Sequence, residues 1–303
     1  MSDPFSLAAT AIAQQTAATR TIQPLPLVER QQQIQAEKER LDRILRQLRQ
    51  NTRPERSQAA EFGNTEFRPQ TGSQLFHQRT AALVNRQIYT RLPASSFQTN
   101  WNTATQPPTY QQWRSLLAQE AQQITATSQP VGIVLGDSLS QWFPSDRLPP
   151  SRVWLNQSIS GDTTSGILKR LSTFAHIRPQ VVYLMAGVND LKNGASDQTI
   201  VRNLSHIIQR LRQTHPQTQI VLQSILPTRS LPISSQRIIN LNRQLHAIAR
   251  QQGAYYLDVH AVMADREGYL RPDLTTDGLH LNDQGYATWQ AVLQHADTTL
   301  AQR

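Results

Sequence analysis

Ser138, Asp277 and His280 are the residues of this chain whose types and settings could together carry acyl transfer. A serine hydroxyl is a poor nucleophile until a base removes its proton. His280 is such a base. Asp277 stands three residues before it, so one turn can set its carboxylate against the other imidazole nitrogen, fixing the tautomer and stabilising the imidazolium. The tetrahedral intermediate also needs preorganised donors for its oxyanion. The backbone N–H of Ser138, the backbone N–H of Gly161 and the side-chain amide of Asn189 supply three candidates. Glycine at 161 lets the backbone approach a substrate with no Cβ in the way. These residues sit in four polar clusters: Gly136-Asp137-Ser138-Leu139-Ser140, Asn156 to Thr163, Ala186-Gly187-Val188-Asn189-Asp190 and Asp277-Gly278-Leu279-His280-Leu281.

Each cluster has a plainer reading. Ser138 suits the N-cap of a helix after a strand, and Asn189-Asp190 suits a cap or turn. Asp277 and His280 suit a capping contact, or half of a metal site that His260 and Asp258 would have to complete. The remaining histidines, among them His176, His206, His215, His246 and His295, fall on helical patterns or their ends and read as surface or packing residues. What favours chemistry is the joint occurrence, in order, of nucleophile, base, orienting acid and oxyanion donors.

The elements that must position these groups are legible as alternating patterns after residue 110. Apolar strand-like runs occur at 131–135, 153–156, 181–185, 219–223 and 254–258, and helical patterns at about 110–125, 163–174, 197–214, 234–252 and 282–300. In 197–214, Ile200, Leu204, Ile207, Ile208 and Leu211 mark one buried face. Near-continuous apolar strands alternating with helices predict a parallel sheet covered on both faces. In such sheets the functional loops lie at the carboxyl ends of the strands. Three of the four clusters follow strands, and the fourth precedes the last helix.

With these residues in view, the chain resembles the SGNH or GDSL hydrolases, whose name lists Ser, Gly, Asn and His. Gly136-Asp137-Ser138-Leu139 is similar to the family's first block, Ser160-Gly161-Asp162-Thr163 to the second, Gly187-Val188-Asn189-Asp190 to the third and Asp277-Gly278-Leu279-His280 to the last. The resemblance covers residues 130–300. It implies a flavodoxin-like α/β/α sandwich with a five-stranded parallel sheet. It also implies esterase, lipase, thioesterase or carbohydrate deacetylase activity without cofactor or metal. Ser138, His280 and Asp277 would form the triad, and Ser138, Gly161 and Asn189 the oxyanion hole. Asp137 and Asp190 follow the family pattern as structural supports. The α/β-hydrolase elbow Gly-x-Ser-x-Gly is not matched, because Ser140 stands where its second glycine belongs. Trp142 and Phe143 are expected to line an acyl pocket or to pack, and residues 228–234 to form a flexible rim.

Residues 1–109 lie outside that resemblance and read as an extension to a hydrolase domain at 110–303. Leu27, Ile34, Leu41 and Leu48 recur every seven residues, which predicts an amphipathic helix at 27–50, able to self-associate or to lie on its own domain. Residues 51–109 read as a polar linker with a short helix over 75–91, whose scattered aromatics could alternatively anchor it to a folded body. Hydrophobic residues make up 38% of the chain and charged residues 17%. Both are below the roughly 45–50% and 25% of ordinary globular chains. No apolar run approaches the ~18 residues of a membrane span. With no cysteine, disulfides, Fe–S clusters and thiolate chemistry are excluded. The net charge of +9 is spread over both halves, with 13 basic and 8 acidic side chains in residues 1–110. It forms no stripe or motif of the kind that nucleic-acid binding needs. Asp3 and the lack of an early Lys or Arg disfavour a signal peptide, so a cytoplasmic location is expected over an exported one. The expected function is ester hydrolysis of a small-molecule, carbohydrate or lipid ester. Acyl transfer to another acceptor and a scaffold role through the N-terminal helix are the alternatives.

Overall fold

The computed structural model describes residues 68–301 except Ala126, Ser230 and Leu231. The expected helix at 27–50 and the N-terminal leader reading lie outside these residues. The helices, in chain order, are α1 (Gly72–Val84), α2 (Gln98–Trp101), α3 (Tyr110–Ile124), α4 (Ser138–Gln141), α5 (Thr164–Arg170), α6 (Val188–Lys192), α7 (Asp197–Thr214), α8 (Ser235–Gln251), α9 (His260–Met263) and α10 (Asp283–Ala301). The strands are β1 (Val131–Gly136), β2 (Val153–Asn156), β3 (Val181–Met185), β4 (Gln219–Gln223) and β5 (Tyr255–Leu257).

All four strand pairings are parallel, in the order β2-β1-β3-β4-β5. The central strands are buried along their whole length, which is why they read as continuous apolar runs. Helix α7 buries the five residues whose spacing predicted its inner face. The long helices begin where side chains can satisfy free N–H groups. Thr109 makes a capping box with Gln112, Ser196 accepts from Thr199 N–H, and Ser234 accepts from Arg237 N–H. The helical pattern at 163–174 resolves into α5 followed by a 3₁₀ turn, Leu171–Phe174.

This strand order has one consequence for function. The chain leaves β1 toward β2 on one side and returns to β3 on the other, so a crevice opens at the carboxyl ends of β1 and β3. Ser138 follows the first of these strands and Asn189 the second.

Where it is described, the segment expected to be a polar linker is folded against the sheet layer. Leu75 of α1 packs with Trp113, Leu116, Leu117 and Ile159. Arg79 is fully buried, pairs with Glu120 of α3 and donates to the Asn156 carbonyl (2.8 Å) at the end of β2. The Thr90 hydroxyl donates to the Trp154 carbonyl (2.6 Å). The reading as a linker failed because the apolar positions here are few. Much of the binding comes from a buried arginine and backbone carbonyls, which leave no hydrophobic periodicity, and the rest from scattered side chains such as Leu75, Phe76, Tyr89 and Trp101. The helix expected over 75–91 stops at Val84, capped by Asn85.

Candidate active site

Ser138 is the first residue of α4, directly after β1. Asp137 caps that helix, its Oδ1 accepting from Leu139 N–H (3.1 Å). The plain reading of this turn as a capped helix start therefore holds as well, with Asp137 rather than Ser138 as the cap. Ser138 itself is left half-buried, its hydroxyl not used in capping the helix. Its Oγ lies 3.3 Å from His280 Nε2, and His280 Nδ1 lies 2.7 Å from Asp277 Oδ2. The structure thus brings together three residues separated by 142 positions of sequence.

The Asp277–His280 turn is built tightly. The Asp277 Oδ1 accepts from the backbone N–H groups of Leu279 (2.9 Å) and His280 (2.7 Å). The Thr275 hydroxyl donates to the His280 carbonyl (2.6 Å). The loop after β4 clamps the same turn, because the Gly278 carbonyl accepts from Arg229 N–H (2.7 Å) and from the Thr228 hydroxyl (3.1 Å). Thr228 and Arg229, expected in a flexible rim, are therefore part of the support. Partial burial acts to raise the Asp277 pKa. The hydrogen bonds from the His280 ring, His280 N–H and Leu279 N–H outweigh it and bring the carboxyl down to about 2. Asp277 is consequently an acceptor only at neutral pH, so His280 Nδ1 presents an N–H to it, while Nε2 faces Ser138.

The two remaining oxyanion candidates lie on neighbouring turns. Gly161 is exposed, has φ +79°, and a Cβ added there would meet nothing within 4 Å. Its backbone therefore faces open space in a conformation that favours glycine. Asn189 opens α6 after Gly187, and its Nδ2 donates one hydrogen to the Asp162 carbonyl (3.0 Å). That bond orients the amide and leaves its second N–H available. Gly187 has φ +130°, and a side chain there would strike Ile225 Cδ1 at 2.5 Å. The turn carrying Asn189 thus requires glycine for both reasons.

Behind these groups lies a buried polar network that the sequence did not advertise. Arg170 is fully buried. Its Nε pairs with Asp162 Oδ2 (2.7 Å), while its other nitrogens donate to the carbonyls of Gln157 (2.5 Å) and Gly136 (3.3 Å). One guanidinium therefore ties together the ends of β1 and β2 and the Gly161 turn. The signal available in sequence was an arginine between Ile167 and Phe174 at helical spacing, on a face that must be buried. Asp190 accepts from both the N–H (2.8 Å) and the hydroxyl (2.6 Å) of Thr164, so it holds α5 against α6. Gln141, three residues after Ser138, accepts from Ser160 N–H (2.9 Å) and fixes the turn before Gly161.

Asp137 is wholly buried. Burial pushes its carboxyl up to about 7, with the charges of Asp162 and Asp190 adding to the rise and the Leu139 hydrogen bond opposing it. A carboxyl with ordinary unfolded pKa near ~3.9 then holds an extra proton in the folded state between about pH 4 and 7. Folding stability must fall as pH rises through that window. Asp137→Asn keeps the capping oxygen and removes the charge. It is expected to raise the melting temperature at pH 8 relative to wild type by more than at pH 4, read by calorimetry at both values.

Phe143 packs edge-on against Tyr286 and Trp289, and Trp142 lies against the Leu75–Trp113 cluster, so both are packing residues. His260 is buried at the start of α9, its N–H donating to Ser224 Oγ (2.7 Å), and Asp258 accepts from Ala261 N–H (3.2 Å). Among the described residues no three His, Cys, Asp or Glu side chains gather as metal ligands.

With this geometry established, comparison with known proteins is informative. Residues 134–288 match the GDSL-like Lipase/Acylhydrolase family. The platelet-activating factor acetylhydrolase IB subunit alpha1 of Pongo abelii is 28% identical over 174 residues, covering 52% of this chain and 71% of that protein. The human protein of the same name is 27% identical over 174 residues, with the same coverage. Among solved structures, one described as a putative platelet activating factor from Streptococcus pneumonia superposes with a TM-score of 0.55 at 25% identity. It covers 61% of this chain and 93% of its own. A GDSL-like lipase from Bacteroides thetaiotaomicron has a TM-score of 0.52 at 19% identity, covering 62% of this chain and 99% of its own, and shares the fold. The family match spans half of the chain and contains Ser138, Gly161, Asn189, Asp277 and His280, so this protein belongs to the GDSL-like lipase/acylhydrolase family and is a carboxylic ester hydrolase.

Proposed function

We propose that the protein is a serine hydrolase in which Ser138 is the nucleophile, His280 the general base and Asp277 the residue that orients it. The observation that carries this reading is the continuous line Ser138 Oγ–His280 Nε2–His280 Nδ1–Asp277 Oδ2, at 3.3 and 2.7 Å. The first contact is slightly longer than the roughly 2.6–3.2 Å of a working hydrogen bond, as is common before substrate binds. His280 takes the Ser138 proton as Oγ attacks the ester carbonyl. The oxyanion is received by the N–H groups of Ser138 and Gly161 and the free N–H of Asn189. His280 then protonates the departing alcohol. Water, deprotonated by the same imidazole, releases the acid from the acyl-enzyme.

Short acyl groups are the expected substrates. The relatives' names specify acetyl removal, and the aromatic side chains after Ser138, Trp142 and Phe143, are taken up in packing against other residues. Turnover of p-nitrophenyl esters should therefore fall from acetyl to dodecanoyl. A maximum at long chains would refute this part of the reading. A fluorophosphonate probe should label Ser138, located by peptide mass spectrometry. Labelling at another residue would overturn the assignment.

Asn189→Ala is expected to lower kcat by about 10²–10³ with a much smaller change in KM, because the lost N–H is needed most by the developing oxyanion. An unchanged kcat would remove Asn189 from that role.

A further inference from the structure

Beside the Ser160–Gly161 turn lies a cavity of about 580 Å³. Its walls come from residues 71–74 and 102–113, with only Ile159 and Ser160 contributed from within the family segment. The walls are stitched to each other. The Ser73 hydroxyl donates to the Gln106 carbonyl, and Gln74 Nε2 donates to the Asn102 carbonyl (3.1 Å). The volume falls within the roughly 300–1,000 Å³ of preformed small-molecule sites.

The chemistry of the lining is distinctive. No Asp, Glu, Lys, Arg or His borders the cavity, in a chain of which 17% is charged. Asn102 and Thr105 offer an amide and a hydroxyl, the Ser160 hydroxyl being engaged as a donor to Gln141 Oε1, while Tyr110, Pro107 and Pro108 offer flat apolar surfaces. The cavity is also coupled to the oxyanion turn. The Tyr110 hydroxyl donates to Asp162 Oδ1 (3.3 Å), and the Asp162 carbonyl accepts from Asn189 Nδ2 (3.0 Å).

We propose that this cavity binds the alcohol portion of the ester, and that this portion is a neutral, polyhydroxylated group of the saccharide class. The proposal rests on the serine-hydrolase reading above for the position of the reacting ester. A phosphate-bearing group would call for Arg or Lys, which Arg-rich chains readily supply, and none lines these walls. A long alkyl chain would shield the exposed Asn102 amide and Thr105 hydroxyl from water without offering them partners. A saccharide meets both halves of the lining. Its hydroxyls pair with the polar groups, and its C–H faces lie on the tyrosine ring and the prolines. The N-terminal residues would thereby set specificity for a reaction performed by residues 138–280.

The test separates binding from turnover. Full-length Ser138→Ala protein is titrated with xylotriose and cellotriose, which carry no acyl group, and binding is followed by NMR. Saturable binding of at least one is expected, weakened at least about ten-fold by adding Ala104→Trp, which fills the cavity. Thr105→Arg, at an exposed position, should do the same if the tryptophan variant misfolds. In the Ser138-containing protein, either substitution should lower kcat/KM for a mono-O-acetylated trisaccharide relative to that for p-nitrophenyl acetate. No saturable binding, or binding indifferent to both substitutions, overturns the cavity proposal even if Ser138-dependent turnover persists. Turnover that survives Ser138→Ala overturns the catalytic reading instead.

Discussion

Replacing Ser138 by alanine is expected to reduce kcat for p-nitrophenyl acetate by about 10⁴-fold or more. The size follows from losing the covalent route altogether. The backbone N–H of residue 138 and the other proposed oxyanion donors remain, so a residual rate above that of water should persist. The fold should not suffer. The α4 helix is capped by Asp137, not by the serine, and the half-buried hydroxyl is bonded to His280 alone among the hydrogen bonds described. Melting temperature should therefore stay within a degree or two of wild type, which makes the loss of rate interpretable. Because the three residues act as a unit, adding His280→Ala to Ser138→Ala should cost little more than the first change alone. Near-normal activity in the single variant would place the nucleophile elsewhere. A double variant whose losses multiply would separate His280 from Ser138.

The second large effect is on stability. Arg170→Met should destabilise the protein by about 3–5 kcal/mol, measured by urea denaturation, because it leaves the Asp162 carboxylate buried with its ionic partner gone. Burial already pushes the Asp162 carboxyl up, and Arg170 is what pulls against that. The same change strips donors from the carbonyls of Gln157 and Gly136. Arg170→Lys should be only a partial remedy, since a single ammonium cannot reach three acceptors held in a planar fork. Removing the stranded charge with Asp162→Asn should recover part of the loss, giving a coupling energy between the two sites. A change below about 1 kcal/mol in Arg170→Met would show that the network orders the Gly161 turn without contributing to the global fold. The rate is a second readout. The turn that presents Gly161 and receives Asn189 depends on Asp162, so kcat should drop in variants that still fold.

The candidate site of this protein was legible in its sequence because its residues are concentrated in four short blocks. Each block carries its own residue type: a serine after a strand, a glycine at 161 with no Cβ, an asparagine after Gly187, and an acid three residues before a histidine. The parallel sheet was legible for a related reason. Strands buried on both faces must be continuously apolar, and helices packed on them must show one apolar stripe, so β1 to β4 and α7 could be bounded almost to the residue. Only the tertiary structure decided the strand order, and with it that the loops after β1 and β3 share one crevice. Pairing order depends on crossovers, which leave no local signature. It also decided the fate of residues 68–109 and of Arg170. Both are held by buried charges and by hydrogen bonds to backbone carbonyls, and a carbonyl is present in every residue. No residue type announces such a partner, so the link between α1 and the end of β2, and between Arg170 and the Gly161 turn, could be found only in three dimensions.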